Sequence, residues 1–339
     1  MESISELIGK ARAAQAEFEK TATQESVDAI VKAIAKVIYD NADPLAKMAA
    51  EESGMGVYED KINKNKGKAR VIWNFLKDKK SVGVINRDEK TCITEVARPM
   101  GVIAAITPCT NPIVTPMCNA MYAIKGRNAI IIAPHPRAKK CAKVVTDLFR
   151  KEIEKQGAPA DLVLLVEEPS TALSAELMSK CDVVVATGGM GMVKAAYSSG
   201  KPAYGVGAGN VQCIIDRGVN YAEAAPKIIE GRRFDNGIIC SGEQTIILPK
   251  EDYAEIIEIF VKNGCAYIEK PEDVEKLKKT LFTITETGGF AMNKNLVGQS
   301  AVKVAETAGI TVPADTKVLL VKADCCGRGD CCRKKKCAP

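Results

Sequence analysis

The run Arg233-Phe234-Asp235-Asn236-Gly237-Ile238-Ile239-Cys240-Ser241-Gly242-Glu243-Gln244 places one cysteine in a short glycine-flanked segment. The apolar residues Thr245 to Leu248 follow at once and read as a strand. A thiol attacks a carbonyl only as thiolate, so it needs a partly exposed, electropositive or dipole-stabilised setting. Gly237 and Gly242 let another molecule approach the backbone, and the main-chain N–H of Cys240 can face an oxyanion formed on a substrate carbonyl. The competing reading is a packed cysteine acting as a small apolar residue. On the local pattern alone that reading is the stronger one.

Other segments fit ligand contact. Thr107-Pro108-Cys109-Thr110-Asn111-Pro112 closes the apolar run Val102–Ile106, where open α/β folds place ligands. Asn111 followed by Pro112 also reads as a helix cap with proline in the first turn. Ala133-Pro134-His135-Pro136-Arg137 closes the next apolar run and holds the one histidine of the chain. A single histidine excludes a multi-histidine metal centre, and its flanking prolines suggest a rigid binding wall rather than a general base. Ala186-Thr187-Gly188-Gly189-Met190-Gly191 follows a strand and opens a helix, so its backbone can approach a diphosphate. Glycine in a tight βα turn also has a purely steric use. Gly205-Val206-Gly207-Ala208-Gly209 contains no carboxylate.

The elements that must position these residues follow from periodicity. Helical spacing covers 3–22 and 25–40, with Ser26 as the expected cap, then 44–52 and 60–77. A strand pair at 81–85 and 91–97 precedes alternating strands and helices from Val102 to about Gly191. That alternation predicts a parallel sheet covered on both faces. Beyond Cys240 a second α/β segment is expected, with helices at 253–262, 271–280 and around 300–308.

At 339 residues the chain is long enough for two domains. Its net charge of +6 comes from 48 basic and 42 acidic residues. The basic residues are scattered apart from the extreme C-terminus, and aromatics are 5%, so nothing points to nucleic acid. No apolar run of about 18 residues and no signal-peptide pattern is present, which predicts a cytoplasmic, non-membrane protein. Of 13 cysteines, eight lie dispersed between Cys92 and Cys265 and read as reduced thiols, while five crowd into the last fifteen residues.

Phe-Asp-Asn-Gly-Ile-Ile-Cys-Ser-Gly-Glu-Gln resembles the catalytic-cysteine motif of the aldehyde dehydrogenase superfamily, in the form used by its CoA-acylating branch. That branch includes acetaldehyde, propionaldehyde and sulfoacetaldehyde dehydrogenases and the N-terminal half of bifunctional aldehyde–alcohol dehydrogenases. The likeness runs from about the N-terminus to Lys322. It implies a Rossmann-like dinucleotide-binding domain at 1–232, with an oligomerisation hairpin at 81–98, and a partial catalytic domain at 233–322. Residues 323–339 form a Cys/Lys-rich tail, expected to be disordered, where the family continues further. Paired cysteines there could bind zinc, but their spacing disfavours it and no metal is expected.

The resemblance makes Cys240 the nucleophile and Asn111 its oxyanion partner. Thr107, Pro108, His135, Pro136, Arg137, Thr187, Gly188, Gly189, Gly205 and Gly207 become cofactor contacts. Pro136 or a neighbour stands where other aldehyde dehydrogenases bind ribose with an acid, leaving NAD and NADP both open. Hydrolytic relatives carry a water-activating glutamate in the motif matched by Gly205–Gly209. Its absence implies that the acyl-enzyme waits for coenzyme A. The expected reaction is reversible oxidation of a small aldehyde, acetaldehyde first and sulfoacetaldehyde next, to its acyl-CoA in a homo-oligomer. The alternatives are a truncated nucleotide-binding paralogue without turnover, and a hydrolytic enzyme giving the free acid. Glu243 is expected to be structural.

Overall fold

The computed structural model describes residues 2–207, 209–284 and 290–322. They group into two compact units, one of residues 1–53 and 61–207 and the other of 54–60 and 208 onward. The helices α1 (Ile4–Thr21), α2 (Gln24–Asp40), α3 (Ala42–Ser53) and α4 (Tyr58–Leu76) come first. The cap of α2 lies three residues before the expected Ser26. Thr23 is the cap, its hydroxyl accepting from Ser26 N at 3.2 Å while Ser26 Oγ accepts from Thr23 N at 2.9 Å. Ser26 is thus the returning partner of a capping box, a role that serine fills in place of the usual Glu or Gln.

The hairpin β1 (Val84–Asp88) and β2 (Ile93–Val96) is antiparallel. The sheet of the first unit then forms from β3 (Val102–Thr107), β4 (Ala129–Pro134), β5 (Val163–Leu165), β6 (Val183–Thr187) and β7 (Ala203–Val206). The intervening helices are α5 (Val114–Lys125), α6 (Lys139–Lys155), α7 (Thr171–Lys180) and α8 (Met190–Tyr197). Strand order is β5-β4-β3-β6-β7, all pairs parallel. Every residue of β4 is buried, as expected of a central parallel strand covered on both faces. The entry to β3 is fixed by polar anchors. Asn128 Oδ1 accepts from Met100 N (2.6 Å) and Gly101 N (3.0 Å), and Asp182 Oδ2 accepts from Val102 N at 2.8 Å. Gly101, at φ 118, has no room for a Cβ beside Asp182.

The second unit contains β8 (Val211–Ile214), α9 (Tyr221–Arg233), β9 (Glu243–Ile247), α10 (Tyr253–Lys262), β10 (Cys265–Ile268) and α11 (Pro271–Leu281). It continues with β11 (Phe282–Ile284), β12 (Phe290–Met292), α12 (Ala301–Thr307) and β13 (Val318–Val321). β8 pairs with β9 and β10 with β13, both parallel. Residues 211–232, assigned from sequence to the cofactor domain, therefore pack with the segment that carries Cys240, because β9 is the ladder partner of β8. One apolar cluster joins Ile229 of α9 to Ile256 and Phe260 of α10 and Val318 of β13. The tail 323–339, with its expected disorder and disfavoured zinc site, lies outside the described residues.

Candidate active site

In the first unit the chain leaves β3, places β4 on one side and returns to place β6 on the other. The strand order therefore reverses at the β3–β6 pair, and ligands of open α/β sheets bind beyond the carboxyl ends of the strands at such a point. Thr107 and Thr187 end the two strands. Gly189 caps α8 with no side-chain hydrogen bond, no acid lies in the first turn of α8, and a Cβ at Gly189 would meet nothing within 4 Å. An open, positively polarised helix end of this kind suits a diphosphate. The residues present thus fit a dinucleotide.

The remaining positions expected to contact the cofactor lie after β3, after β4 and in or just after β7. His135 N donates to Thr107 O at 2.9 Å, joining the loops after β3 and β4. His135 Nδ1 accepts from Arg137 N at 3.1 Å, so the imidazole starts the 3-10 turn Pro136–Ala138. Arg137 reaches Ser53 O at 2.6 Å. His135, Pro136 and Arg137 are exposed, Pro108 is half-buried and Thr107 is buried. Gly205 is explained by packing, since a Cβ there would come 2.7 Å from Val193 and 2.8 Å from the Tyr197 ring. Gly207 lies against Met190, with 3.0 Å from its Cβ position to the sulfur.

Asn111 is not a side-chain cap. The cap residue of α5 is Ile113, with no side-chain hydrogen bond, and Asn111 contributes its carbonyl to Thr115 N at 3.3 Å. Its amide makes no hydrogen bond with any described residue, which leaves both N–H groups for a ligand. Beside it, a cavity of about 10 Å³ is lined by Lys61, Lys64 and Asn65 of α4 together with Asn111. Lys61 and Lys64 are 2% and 6% exposed. Two thiols that flank Asn111 in sequence feel other cations. Burial raises the pKa of Cys109 and pushes that of Cys118 up to about 11, while Arg137 and Lys68 respectively pull them back.

Cys240 belongs to the second unit and is exposed, unlike buried Cys265 in the same unit, whose thiol burial pushes up to about 12. The loop before it is built from three consecutive left-handed residues, Asp235 (φ 53), Asn236 (φ 51) and Gly237 (φ 67). Asp, Asn and Gly are the residue types that tolerate this region. The conformation is held from outside. Asp235, fully buried, receives Val57 N on Oδ1 at 2.9 Å and gives its own N–H to Asp60 Oδ2 at 2.8 Å. Asn236 Nδ2 donates to Gly298 O at 2.9 Å, and the same carbonyl accepts from Gly56 N at 2.9 Å. A Cβ at Gly298 would come 2.8 Å from Met55 Cβ and 3.0 Å from Ile238.

On the far side of the cysteine, Gly209 packs so closely that a Cβ there would overlap the Cys240 carbonyl oxygen. Glu243 has its carboxylate against Gly231 of α9, where a Cβ would collide with it. That placement suits the structural role expected for Glu243. Sequence reasoning missed Val57, Asp60 and Gly298 as supports of the nucleophile loop. The Asp-Asn-Gly triplet was the available signal that a left-handed turn needing outside support precedes Cys240.

Comparison with known proteins gives the chemistry. The profile described as "Aldehyde dehydrogenase family" matches residues 1–274. The chain is 52% identical over 336 residues to the succinate-semialdehyde dehydrogenase (acetylating) of Clostridium kluyveri, covering 99% of this chain and 73% of that protein. It is 41% identical over 324 residues to the sulfoacetaldehyde dehydrogenase (acylating) of Bilophila wadsworthia, covering 95% and 69%. Among solved structures, the propionaldehyde dehydrogenase of Rhodopseudomonas palustris with bound CoA and an acylated cysteine superposes with a TM-score of 0.81. The identity is 32%, with 95% of this chain and 72% of that one covered. A mixed α/β fold with a parallel central sheet, a matching family profile and acylating relatives agree: the chain belongs to the aldehyde dehydrogenase family, in its CoA-acylating branch.

Proposed function

We propose that this chain oxidises a small aldehyde bearing an acidic group to the corresponding acyl-CoA, with Cys240 as nucleophile and NAD or NADP as cofactor. The observation that carries the catalytic part is the exposed Cys240 on a loop held in a left-handed conformation by buried Asp235. The thiolate adds to the aldehyde carbon, and the new oxyanion accepts hydrogen bonds from Cys240 N–H and, we propose, from the Asn111 amide. A bound nicotinamide supplies the hydride acceptor. The acyl group then resides on Sγ as a thioester. The thiolate of coenzyme A attacks that carbonyl, and Cys240 leaves as thiolate. Because one thioester replaces another, the reaction runs in both directions. Thr107, Pro108, His135, Pro136, Arg137, Thr187, Gly188, Gly189, Gly205 and Gly207 are the proposed dinucleotide-side residues. Sustained NAD(P)H formation on adding aldehyde and CoA together, with no more than about one equivalent per Cys240 from aldehyde alone, is the expected result. Sustained release without CoA would favour the hydrolytic reaction.

The acidic substrate is supported by two findings. Succinate semialdehyde and sulfoacetaldehyde, named for the two relatives above, each pair an aldehyde with an anionic group. Lys61 and Lys64 line a small cavity with Asn111, and Arg137 and Lys68 lower the pKa of Cys109 and Cys118, which flank Asn111 in sequence. A cluster of cations with low-dielectric walls concentrates anionic substrates. This reading puts an anionic aldehyde ahead of acetaldehyde. Lys64→Met is expected to lower kcat/KM for succinate semialdehyde by about tenfold through the lost local positive potential. Butanal turnover should change far less, and an equal loss for both aldehydes would contradict the assignment.

The hairpin β1–β2 leaves Val84, Ile93 and Val96 exposed. We propose that it forms a contact between copies of the chain, covering an edge that would otherwise be open to pairing. Sedimentation should show an oligomer that Ile93→Asp weakens. A parent chain that sediments as a monomer would remove this part of the reading.

A further inference from the structure

The ladder between β8 and β9 is irregular at one point. Val211 pairs with Glu243, but the next residue, Gln212, pairs with Thr245. Gln244 is therefore an extra residue without a ladder partner. Such a β-bulge bends the strand, re-aims a side chain and is common beside active sites. Here the side chain is turned to a specific acceptor, with Gln244 Nε2 donating to Gly209 O at 3.0 Å. Gly209 in turn packs on the carbonyl of Cys240. The three residues form a chain of contacts from bulge to nucleophile. It lies entirely within the second unit.

We propose that Gln244 is a positioning residue, whose bulged side chain pins Gly209 against the Cys240 carbonyl and thereby fixes the direction of the Cys240 N–H and thiol. The inference rests on Cys240 being the nucleophile. The peptide N–H of Cys240 is useful only if it points where the oxyanion forms, and a misplacement on the order of 1 Å costs about 10²-fold in rate. The residues before Cys240 are fixed by Asp235 and Asn236, but those anchors hold only one end of the loop. Gly209 and Gln244 are the matching hold on the other end. Glutamine suits the role because its neutral amide donates to the carbonyl without placing a charge beside the thiolate.

Two reactions of the same thiol separate positioning from folding and from general reactivity. Acylation of Cys240 by p-nitrophenyl acetate passes through a tetrahedral oxyanion: Sγ bonds to the acetyl carbon, p-nitrophenolate leaves, and a thioester remains. Alkylation by iodoacetamide displaces iodide at a saturated carbon and forms no oxyanion, so it reports only thiolate content and access. Neither reagent needs dinucleotide or CoA. Failure of the proposed overall reaction would therefore be seen separately, as absent CoA-dependent turnover in the parent.

For Gln244→Leu and Gln244→Glu, acylation of Cys240 is expected to fall on the order of 10²-fold. Alkylation, read by peptide mass spectrometry against exposed Cys92 as internal reference, should stay within about threefold in Gln244→Leu, where no charge is added beside the thiolate; in Gln244→Glu the added carboxylate lowers the thiolate fraction, and acylation should fall further than alkylation does. Acylation at the parental rate in both variants would overturn the proposal. So would a parallel loss of acylation and alkylation with a lowered Tm, since that marks Gln244 as a general structural support. Gln244→Glu keeps the shape and removes the amide donor, so the proposal remains testable if the leucine variant does not fold.

Discussion

Cys240→Ala should abolish aldehyde oxidation, with kcat reduced by about 10⁴-fold or more, the scale on which loss of a covalent nucleophile is felt. The stability of the chain should be nearly unaffected. Cys240 is exposed, so its thiol contributes little buried apolar area, and the left-handed turn before it is held by Asp235, Asn236 and Gly298 rather than by the cysteine. Dinucleotide binding should also persist, because the candidate cofactor residues from Thr107 to Gly207 lie in the other unit. The informative result is therefore a folded, nucleotide-binding, inactive protein. Fluorescence titration with NADH alongside a progress curve checks both halves. Turnover within about tenfold of the parent would mean that another group carries the acyl chain.

Gly209→Ala is the second large effect, and its cause is steric. The new methyl group would fall on the Cys240 carbonyl oxygen, a backbone atom that no rotamer change can move. Either the turn at Gly209 or the nucleophile loop must shift. On one side the hydrogen bond from Gln244 to Gly209 resists, and on the other the anchors of Asp235 and Asn236 resist. A displacement on the order of 1 Å at the nucleophile corresponds to about 10²-fold in kcat, with stability lowered by about 1–3 kcal/mol, typical of overpacking. By contrast, Gly189→Ala meets open space. It should leave Tm unchanged and act, if at all, on dinucleotide KM. Equal activities for Gly209→Ala and the parent would show that the contact with Cys240 is not maintained in solution.

How far the sequence revealed this site depends on how local each determinant is. The strand after Cys240 is encoded within a few residues and was legible, whereas the local pattern around Cys240 favoured a packed cysteine and only the resemblance singled it out as a nucleophile. The parallel sheet was legible too, because buried strands such as Ala129–Pro134 and their helices repeat the same short pattern. The supports of the nucleophile loop were not. Asp60 and Asp235 are 175 residues apart in sequence, Val57 comes from the same short segment as Asp60, and Gly298 comes from a third one. Nothing in local periodicity links them.

The bulge at Gln244 escaped for a related reason. A sequence shows that a strand is present, but the register slip that frees one residue appears only once Val211 and Glu243 are paired. Caps were misread where two candidates stood close together. Ser26 and Thr23 can each cap α2, and the hydroxyl one turn earlier prevails, leaving Ser26 to reciprocate. Asn111 and Pro112 looked like a cap, yet α5 begins two residues later and leaves the Asn111 amide without a structural partner among the described residues.

The central claim is an acyl-enzyme on Cys240 that only coenzyme A discharges. Mixing the protein with succinate semialdehyde and NAD or NADP, without CoA, and taking its intact mass tests this directly. The account predicts one succinyl adduct per chain, mapped to Cys240, stable until CoA is added and then lost as succinyl-CoA appears. An adduct that disappears in buffer with release of succinate, or turnover with CoA and no adduct on Cys240, would contradict it.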